Sequence, residues 1–509
     1  MSQPAAQISH RTPPLIRSLL ADPACYDHPV GNLELVETHI SWVLLTGSYA
    51  YKIKKPVDLG FLDFSTLKLR HRDCDDELRL NRRLAAEYYL GVVGITGTPD
   101  APRINGSGIA FEYAVKMRQF PKDATLDKLA ECGELGELQI DALSERVAHF
   151  HMFECQSANA QSIWGEPETV AHPVEENFSV LFSCLEDDGS RARLASLQNW
   201  CRTEHARLVP LIRLRKAGGM VRECHGDLHL ANMAWFDGHL VIFDCLEFSP
   251  ELRWTDVISE VAFCYMDLLH RQYDALASRF LNAWLAETGD YQGVALLRYY
   301  AVYRALVRAK VAALRAVQVE DSHAARLEVH GCLELAERLS SPMTPELSIT
   351  HGFSGSGKST LTQHLLQSHG LIRLRSDVER KRLSGLAALE RGGARLYTED
   401  FSRRTYLHLA DLTSSLLAAG WPVIVDAAFL ERERRDLFRD LAARLCVSFR
   451  ILDVQAPVKV LRERVRRRDA SKSDVSEADL RVLQHQLETA QPLGEDEIAV
   501  RIDGTALAD

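Results

Sequence analysis

The 509-residue sequence lacks the features that identify zinc-binding, disulfide-bonded, membrane-spanning or secreted proteins. Its eleven cysteines form no Cys-x-x-Cys pair, so we predict neither a zinc site nor a disulfide framework, and we expect a reducing compartment. No run of 18 apolar residues occurs, and a membrane-spanning helix is therefore not predicted. The first twenty residues have no long apolar core, so we expect no signal peptide and a cytoplasmic protein.

Neither half of the chain is strongly basic, and there is no internal repeat. The net charge of −10 lies in the front of the chain, since residues 1–344 carry about −11 and residues 345–509 about +1. Neither part has the positive charge that binding to a long nucleic acid requires, so we expect no nucleic-acid partner. With 46% hydrophobic and 26% charged residues, a soluble chain of this length is expected to form two or more domains.

The first motif with chemical content is H-G-D-L-H-L-A-N at residues 225–232. It has the spacing of a kinase catalytic loop, in which an aspartate accepts the proton of the substrate hydroxyl and an asparagine five residues later binds magnesium. Asp227 is thus the predicted catalytic base, and Asn232 is a predicted metal ligand. Asp244, at the end of an apolar strand, is the second predicted metal ligand, because carboxylate and amide oxygens suit a hard cation such as Mg²⁺.

A lysine that contacts the nucleotide phosphates is expected upstream, on a strand of a β-hairpin. Residues 38–55 alternate as two strands around Gly47-Ser48, and Lys52 on the second strand is the predicted phosphate lysine. Glu77, on a predicted helix, is its expected partner. Lys54 stays a rival because it shares a strand face with Lys52, and Lys55 is a further one.

This loop resembles the H-G-D-x-H-x-x-N motif of aminoglycoside and choline kinase-like phosphotransferases, and the likeness covers roughly residues 33–335. The resemblance implies a bilobal protein-kinase-like fold and ATP-dependent phosphorylation of a hydroxyl compound. It also implies Asp227 as the base, Asn232 and Asp244 as magnesium ligands, and residues 109–120 as the hinge that receives adenine. The sequence departs from the family in Cys245-Leu246-Glu247 after the metal aspartate, and it has no Gly-rich loop before the hairpin.

The second motif is G-F-S-G-S-G-K-S at residues 352–359, which follows a predicted strand and precedes a predicted helix. This is the P-loop pattern, in which backbone N–H groups at a helix N-terminus bind phosphates. The lysine neutralises the β and γ phosphates, and the following serine binds magnesium. The predicted nucleotide-binding residues are Gly352, Gly355, Gly357, Lys358, Ser359 and Thr360.

Acidic and basic residues around the P-loop indicate what happens to the triphosphate. Asp377 is placed to deprotonate an acceptor hydroxyl, and Asp426, at the end of a predicted strand, is a further expected magnesium ligand. Arg464 and Arg468 lie one helical turn apart in a basic segment and are predicted to close over the transferring phosphate. A solvated helix face is an equally weighted interpretation of these arginines.

This combination resembles P-loop kinases grouped around gluconate kinase, chloramphenicol phosphotransferase, zeta toxin and polynucleotide 5'-kinase, over residues 346 to about 503. The whole order resembles bacterial proteins described as fused aminoglycoside phosphotransferase and ATP-binding proteins. The predicted fold class is α/β in two domains: a bilobal protein-kinase-like fold, then a P-loop NTPase fold with a parallel sheet flanked by helices. The kinase-like domain spans residues 1–340 (small lobe about 33–120, helical lobe about 121–340), residues 340–345 form a linker, and residues 346–509 form the P-loop domain.

The function expected from both motifs is that of a bifunctional kinase that uses ATP and Mg²⁺, with GTP left open, to phosphorylate small hydroxyl compounds such as sugars, aminoglycosides or nucleosides. Two alternatives stay open. In the first, one domain is a nucleotide-binding regulator of the other. In the second, the C-terminal domain is a nucleic-acid 5'-hydroxyl kinase, which the lack of interleaved aromatic residues disfavours.

Overall fold

The computed structural model describes residues 12–58, 60, 62–318, 323–387, 390, 392–393, 396, 398–471 and 476–507. The chain divides into two compact units, each made of several segments. The first comprises the segments up to Leu135, Phe150–Val170 and Pro210–Glu260, and the second comprises Gly136–His149, Ala171–Val209 and the segments from Val261 onward. Within the described part of the chain, no helix combines the length and the hydropathy needed to cross a membrane.

The first unit is built on a six-stranded antiparallel sheet of order β1-β2-β3-β6-β4-β5. Its strands are β1 (Glu34–Glu37), β2 (Ser41–Leu45), β3 (Tyr49–Lys54), β4 (Tyr89–Thr98), β5 (Ala101–Ile104) and β6 (Glu112–Arg118). Helix α1 (Pro14–Ala21) packs by the buried Ile16 and Leu19 into the core of this sheet, and α2 (Leu67–Ala85) packs on β4 and β6. Cys74 of α2 joins Tyr89 and Val115 in a second apolar cluster.

Short strands and loops after the sheet hold the catalytic-loop motif. The two-stranded sheets are β7 (Val221–Glu223) with β10 (Trp254–Asp256), and β8 (Met233–Phe236) with β9 (His239–Ile242). Asp237 turns the β8-β9 hairpin with φ of 56°, in the left-handed region that aspartate and asparagine tolerate better than most residues. Residues 225–232 therefore run from the end of β7 to the start of β8, and Asp244 follows β9.

Further α-helices lie between β6 and the predicted linker. Their bounds are α3 (Leu126–Cys132), α4 (Glu137–His149), α5 (Pro167–Cys184), α6 (Asp188–Ala217), α7 (Pro250–Arg253), α8 (Val257–His270), α9 (Asp274–Thr288), α10 (Val294–Gln318) and α11 (His323–Ser340). In the second unit, α10 packs along α11, and α4 packs against α9. The predicted linker at residues 340–345 lies between the end of α11 and the next strand, while the domain boundary itself stays a prediction.

The remainder of the second unit is a five-stranded parallel sheet of order β12-β13-β11-β14-β15 with helices around it. Its strands are β11 (Glu346–His351), β12 (Ile372–Arg375), β13 (Val423–Asp426), β14 (Ser448–Gln455) and β15 (Ala499–Asp503). Its helices are α12 (Lys358–His369), α13 (Ser376–Leu383), α14 (Glu399–Ala418), α15 (Arg432–Arg444), α16 (Val458–Ser471) and α17 (Leu480–Thr489). The predicted α/β fold class, with a parallel-sheet P-loop fold in the back region, is confirmed.

Secondary structure departs from prediction in the front sheet. The predicted hairpin at residues 38–55 is confirmed as β2 and β3. The helix predicted to carry Glu77 is α2, which ends at Ala85, and β4 and β5 follow as an unpredicted hairpin. Gly91, Gly94 and Gly97 interrupt the apolar pattern of β4, and Gly97 has φ of 85° at the turn, which is why this segment does not read as a strand.

Candidate active sites

The catalytic-loop motif brings Asp227 and Asn232 into direct contact. The Asn232 Nδ2 group donates to Asp227 Oδ2 at 3.0 Å and to the Asp227 carbonyl at 3.0 Å. His229 Nε2 lies 3.3 Å from the same Asp227 oxygen. The predicted base is therefore oriented by its neighbours and has a side chain that is 30% exposed, which leaves it open to an acceptor.

Buried residues behind the loop fix its backbone. The N–H group of Gly226, which has φ of 89°, donates to Glu260 Oε1 at 2.8 Å, and Glu260 Oε2 bonds His151 Nε2 at 2.8 Å. His225 Nε2 donates to the Phe243 carbonyl at 2.9 Å, and its Nδ1 accepts the Asp227 N–H at 3.2 Å. His225 thus ties the loop to the segment that leads into Asp244. Burial lowers the pKa of His225, which favours this neutral form.

Lys52 is the lysine that reaches the predicted metal ligand. Its Nζ lies 2.5 Å from Asp244 Oδ1 and 3.0 Å from Glu77 Oε1. Burial opposes the charge of Lys52, but Asp244 and Glu77 outweigh it and raise the pKa well above its usual value. Asp244 itself has φ of 65° and donates its N–H to the Tyr89 hydroxyl at 3.1 Å. This strained backbone turns the carboxylate toward Lys52.

Lys54 occupies a different, fully buried position. Its Nζ lies 2.6 Å from Glu77 Oε2, contacts Glu247 Oε1, and lies 5.2 Å from the centre of the Phe64 ring. Burial would raise the pKa of Glu77, yet Lys52 and Lys54 lower it to about 2. Glu77 is therefore held between two ammonium groups. Sequence alternation put both lysines on one strand face, and only their separate partners, Asp244 and Glu247, distinguish them.

Replacing the three lysines one at a time separates these roles. We expect Lys52→Met to lower front-site kcat/KM by about a hundredfold or more with little unfolding, because Glu77 keeps Lys54 as a partner. Lys54→Met leaves Glu77 and Glu247 buried with one cation fewer, so we expect the free energy of unfolding to fall by about 3 kcal/mol. Lys55→Met removes a contact with the exposed Glu37 and serves as the matched control, with a loss below about 1 kcal/mol. Chemical denaturation and steady-state kinetics check this, and the assignment is wrong if Lys54→Met stays stable and loses only activity.

The P-loop forms the tight turn that its glycines predict. Gly352, Gly355 and Gly357 have φ of 144°, 84° and 101°, all in the region that favours glycine. A Cβ on Gly352 would lie 2.4 Å from the Val454 carbonyl oxygen, so no other residue fits there without a shift. Gly357 is the N-cap of α12, whose first residues are Lys358, Ser359 and Thr360. These residues line the cavity, and the first N–H groups of a helix have no partner within it, as phosphate binding by the motif requires.

Lys358 folds back on the loop that precedes it. Its Nζ donates to the carbonyls of Gly352 at 2.9 Å and Phe353 at 2.8 Å. Burial is the main cause that lowers the pKa of Lys358 to about 8, with Arg468 adding to the effect and Asp426 and Asp377 opposing it. The lysine is therefore near its titration point in mildly alkaline solution. A bound anion beside it favours the protonated form.

This shift predicts a pH dependence that distinguishes the two sites. A lysine with a pKa of about 8 is charged below that pH and loses its charge above it, so affinity for MgATP at the P-loop should fall about fivefold between pH 8 and pH 9. The front site should keep its affinity over this range, because the pKa of Lys52 is raised. Nucleotide titrations in Lys52→Met and Lys358→Ala proteins isolate each site. Parallel pH profiles at both sites would contradict this assignment.

Asp377 and Asp426 lie at the carboxyl ends of β12 and β13, the two strands on one side of the P-loop strand β11: Asp426 is the last residue of β13, and Asp377 follows β12 by two residues. Asp426 is buried, accepts from Thr362 Oγ1 at 3.3 Å, and lies 3.8 Å from Arg375 Nε. Asp377 is the second residue of α13, and its Oδ1 lies 3.0 Å from Arg380 Nη1. Burial would raise the pKa of Asp377, but Arg380, a hydrogen bond with Ser476, and other cations lower it. Asp377 is thus ionised at neutral pH, as a base must be.

Arg464 and Arg468, the two arginines predicted to close over the transferring phosphate, contact different residues. Arg464 donates to the carbonyls of Gly504 at 2.9 Å and Leu507 at 3.1 Å, next to the β15 side of the P-loop. Arg468 donates to the Ala478 carbonyl at 2.7 Å and acts electrostatically on both Lys358 and Asp377. Arg468 is therefore the one of the pair whose charge lies by the predicted base and phosphate lysine.

A cavity of about 1100 Å³ brings the back-site residues together. The predicted residues that line it are Gly355, Gly357, Lys358, Ser359, Thr360, Asp377, Asp426, Arg464 and Arg468. Sequence reasoning missed Arg380, Tyr406 and Arg434, which also line this cavity. The Arg434 guanidinium lies 4.5 Å from the centre of the Tyr406 ring. These two residues come from α14 and α15, and no local motif signals their proximity.

Both sites have the chemistry that ATP and Mg²⁺ require. In the back site, the Lys358 ammonium donates to the loop carbonyls of Gly352 and Phe353, and Lys358, Ser359 and Thr360 at the start of α12 line the cavity. Ser359 and Asp426 offer oxygen ligands there. In the front site, Asn232 and Asp244 are the oxygen donors, and Lys52 already contacts one carboxylate. Hard oxygen ligands next to an ammonium group fit a magnesium-bound polyphosphate.

Comparison with known proteins finds relatives over nearly the whole chain. Three mycobacterial proteins named as uncharacterized, Mb2027c of Mycobacterium bovis and MT2060 and Rv2004c of Mycobacterium tuberculosis, are 30% identical over 462 residues. The match covers 89% of this chain and 91% of each relative. Residues 347–493 match the family model AAA_33, described as an AAA domain, which confirms the predicted P-loop domain.

Similar solved structures include kinases matched to parts of the chain. A gluconokinase from Sinorhizobium meliloti 1021 is 22% identical and covers 33% of this chain and 85% of its own, with a TM-score of 0.24. A choline/ethanolamine kinase family protein from Mesorhizobium loti is 10% identical and covers 64% of this chain and 92% of its own, with a TM-score of 0.40.

Proposed function

This chain belongs to one family with the mycobacterial proteins Rv2004c, MT2060 and Mb2027c, and we propose that it is a bifunctional ATP-dependent phosphotransferase. Each site transfers the γ-phosphate of ATP to a hydroxyl group of a small molecule such as a sugar, an aminoglycoside-like compound or a nucleoside-like compound. Both regions have kinase-like folds, which support phosphotransfer in general. The proposal consists of two statements: both sites are catalytically active, and the acceptor of each is a small hydroxyl compound.

One observation carries the proposal: a carboxylate suited to proton removal lies with a phosphate-binding lysine and oxygen ligands in each of two unrelated folds. In the front site, Asp227 contacts Asn232, and Lys52 contacts Asp244. In the back site, Asp377 lines the same cavity as Lys358 and its neighbours. A motor or switch domain needs the lysine but no base beside it, so the presence of a base favours transfer to an acceptor.

In this proposal each residue has a stated task. Asp227 or Asp377 orients the acceptor hydroxyl and takes its proton as the new O–P bond forms. Lys52 or Lys358 binds phosphate oxygens, and Arg468 faces the group that is transferred. Mg²⁺ would be held by Asn232 and Asp244 in the front site and by Ser359 and Asp426 in the back site. When bound, it supplies charge neutralisation on the triphosphate.

A labelled-phosphate screen tests the proposal. Full-length wild type, Asp227→Asn and Lys358→Ala proteins are incubated with γ-labelled ATP and panels of aminoglycosides, sugars, nucleosides and short 5'-hydroxyl oligonucleotides. We expect at least one product that needs Asp227 and a different one that needs Lys358. If Lys358→Ala abolishes the Asp227-dependent product and no Lys358-dependent product exists, the back domain is a nucleotide-binding regulator. A labelled oligonucleotide would instead make it a nucleic-acid end kinase.

A further inference from the structure

The outer strand of the P-loop sheet is completed by a side chain from a helix that precedes the predicted linker. Among the described strands, β12 lies at the edge of its sheet and pairs with β13 alone, so its other edge needs partners for its backbone groups. The amide of Asn282 in α9 supplies two of them. Its Nδ2 donates to the Leu371 carbonyl at 2.9 Å, and its Oδ1 accepts the Arg373 N–H at 2.7 Å. Asn282 is 4% exposed, and it bonds β12 as a neighbouring strand would.

The C-terminal end of the same helix binds the helix that follows β12. Arg382, in the last turn of α13, donates to the carbonyls of Ala286 at 2.5 Å and Glu287 at 3.2 Å. The last carbonyls of a helix have no partner within it, so the guanidinium completes α9 as it holds α13. Gly289 then ends α9 with φ of 73°, and a Cβ there would lie 2.8 Å from the Arg382 guanidinium.

A buried carboxylate strengthens this second anchor. Glu379, one turn before Arg382, lies 3.2 Å from the Arg382 Nε and 3.2 Å from His408 Nε2 of α14. Burial would raise the pKa of Glu379, but His408 and Arg382 lower it. Tyr291, just after α9, is buried and hydrogen-bonds the same carboxylate, and its pKa is raised by burial and by Glu379. The middle of α13 is thereby tied to the segment after α9.

Asp377 lies between these two anchors in sequence and in structure. It is four residues after Arg373, whose N–H bonds Asn282, and five residues before Arg382, whose guanidinium bonds the end of α9. Strand β12 and helix α13 meet at Ser376, directly before Asp377. A carboxylate at such a junction moves with both elements. A shift of about 1 Å in a catalytic group can lower a rate by two orders of magnitude.

We propose that α9 positions the base of the P-loop site, with Asn282 and Arg382 as positioning residues for Asp377. The helical region before the linker therefore completes the back site, and the P-loop domain does not function as an independent kinase module. This rests on the proposed role of Asp377. The partner surface is intramolecular, formed by the polar groups of α9 on the edge of β12 and on the last turn of α13.

Single substitutions in the full-length protein test this proposal. The parent carries Asp227→Asn, which silences the front site, and the variants are Asn282→Leu, Asn282→Asp, Arg382→Met and the control Asn199→Leu, an exposed position on α6. Hydrogen exchange is measured over residues 371–383, together with the melting temperature and the kcat and KM of Lys358-dependent ATP turnover.

We expect Asn282→Leu and Arg382→Met to speed exchange in residues 371–383 and to lower kcat at least about tenfold, with the KM for ATP within about twofold, since the P-loop is untouched. Asn282→Asp keeps the acceptor for the Arg373 N–H and should retain more of kcat than Asn282→Leu. Asn199→Leu should match the parent in every readout.

Two results would overturn the proposal. In the first, exchange over residues 371–383 stays at the parent rate in both variants. In the second, exchange rises but kcat changes only as far as the melting temperature accounts for, as a purely structural contact would give. If the parent itself lacks Lys358-dependent turnover, the proposed function of the back site fails, and exchange alone still decides whether α9 holds the segment that carries Asp377.

Discussion

An Asp227→Asn protein is expected to lose front-site kcat by about three orders of magnitude, because an amide cannot accept the proton of the acceptor hydroxyl. Affinity for ATP should remain, since Lys52 and Asp244 are unchanged and the new side chain still contacts Asn232. Single-turnover transfer to the front-site acceptor, with nucleotide affinity measured in parallel, checks both parts.

The matched control for this change is Asp237→Asn. Asp237 is exposed at the turn of the β8-β9 hairpin with φ of 56°, a conformation that asparagine also adopts. Its kcat and melting temperature should equal those of wild type. An Asp227→Asn protein that keeps more than about a tenth of wild-type kcat would remove Asp227 as the base and leave it as an orienting group.

The second large effect is expected from Asp377→Asn in the back site. We predict a loss of about a thousandfold in kcat for Lys358-dependent products, with ATP affinity within about threefold. Asp377 is ionised in the folded protein through Arg380 and Ser476, so the carboxylate is available as a base throughout the neutral range. Kinetics with the acceptor found in the screen measure the effect.

Asp400→Asn is the control for the back site. Asp400 is 71% exposed on α14, where it pairs with Arg403 at 3.2 Å. Its removal should leave the activity of the back site unchanged. Should Asp377→Asn keep full product formation while Lys358→Ala stops the front reaction, the P-loop domain would be a nucleotide switch and the transfer proposed for it would be wrong.

Local sequence rules predicted the parts of both sites that depend on short-range geometry. The P-loop is one turn between a strand and a helix, and its glycines have the positive φ values that this tight turn requires. The front motif likewise placed Asp227 within hydrogen-bonding reach of Asn232, five residues away. In each case the chemistry is encoded within about eight consecutive residues.

Contacts between distant segments were beyond the sequence. Lys52 and Lys54 share a strand face, and the choice between them depended on Asp244 and Glu247, nearly 200 residues further on. Strand β12 has only four residues, Ile372–Arg375, and its short apolar and charged alternation does not predict which strands or helices lie beside it. Its outer edge is satisfied by Asn282, which no periodicity could connect to it. Such pairings are fixed by tertiary packing and not by local propensity.

The central claim is that one chain contains two nucleotide-using sites. Its most direct test is the number of MgATP molecules bound per chain, measured by calorimetric titration at pH 7.5 in wild type, Lys52→Met, Lys358→Ala and the double variant. The account predicts two bound MgATP molecules per chain in wild type, one in each single variant and none in the double variant. Each single variant should keep the affinity of its intact site. One molecule bound to wild type and none to Lys358→Ala would contradict it, because the front region would then have the kinase fold without a working nucleotide site.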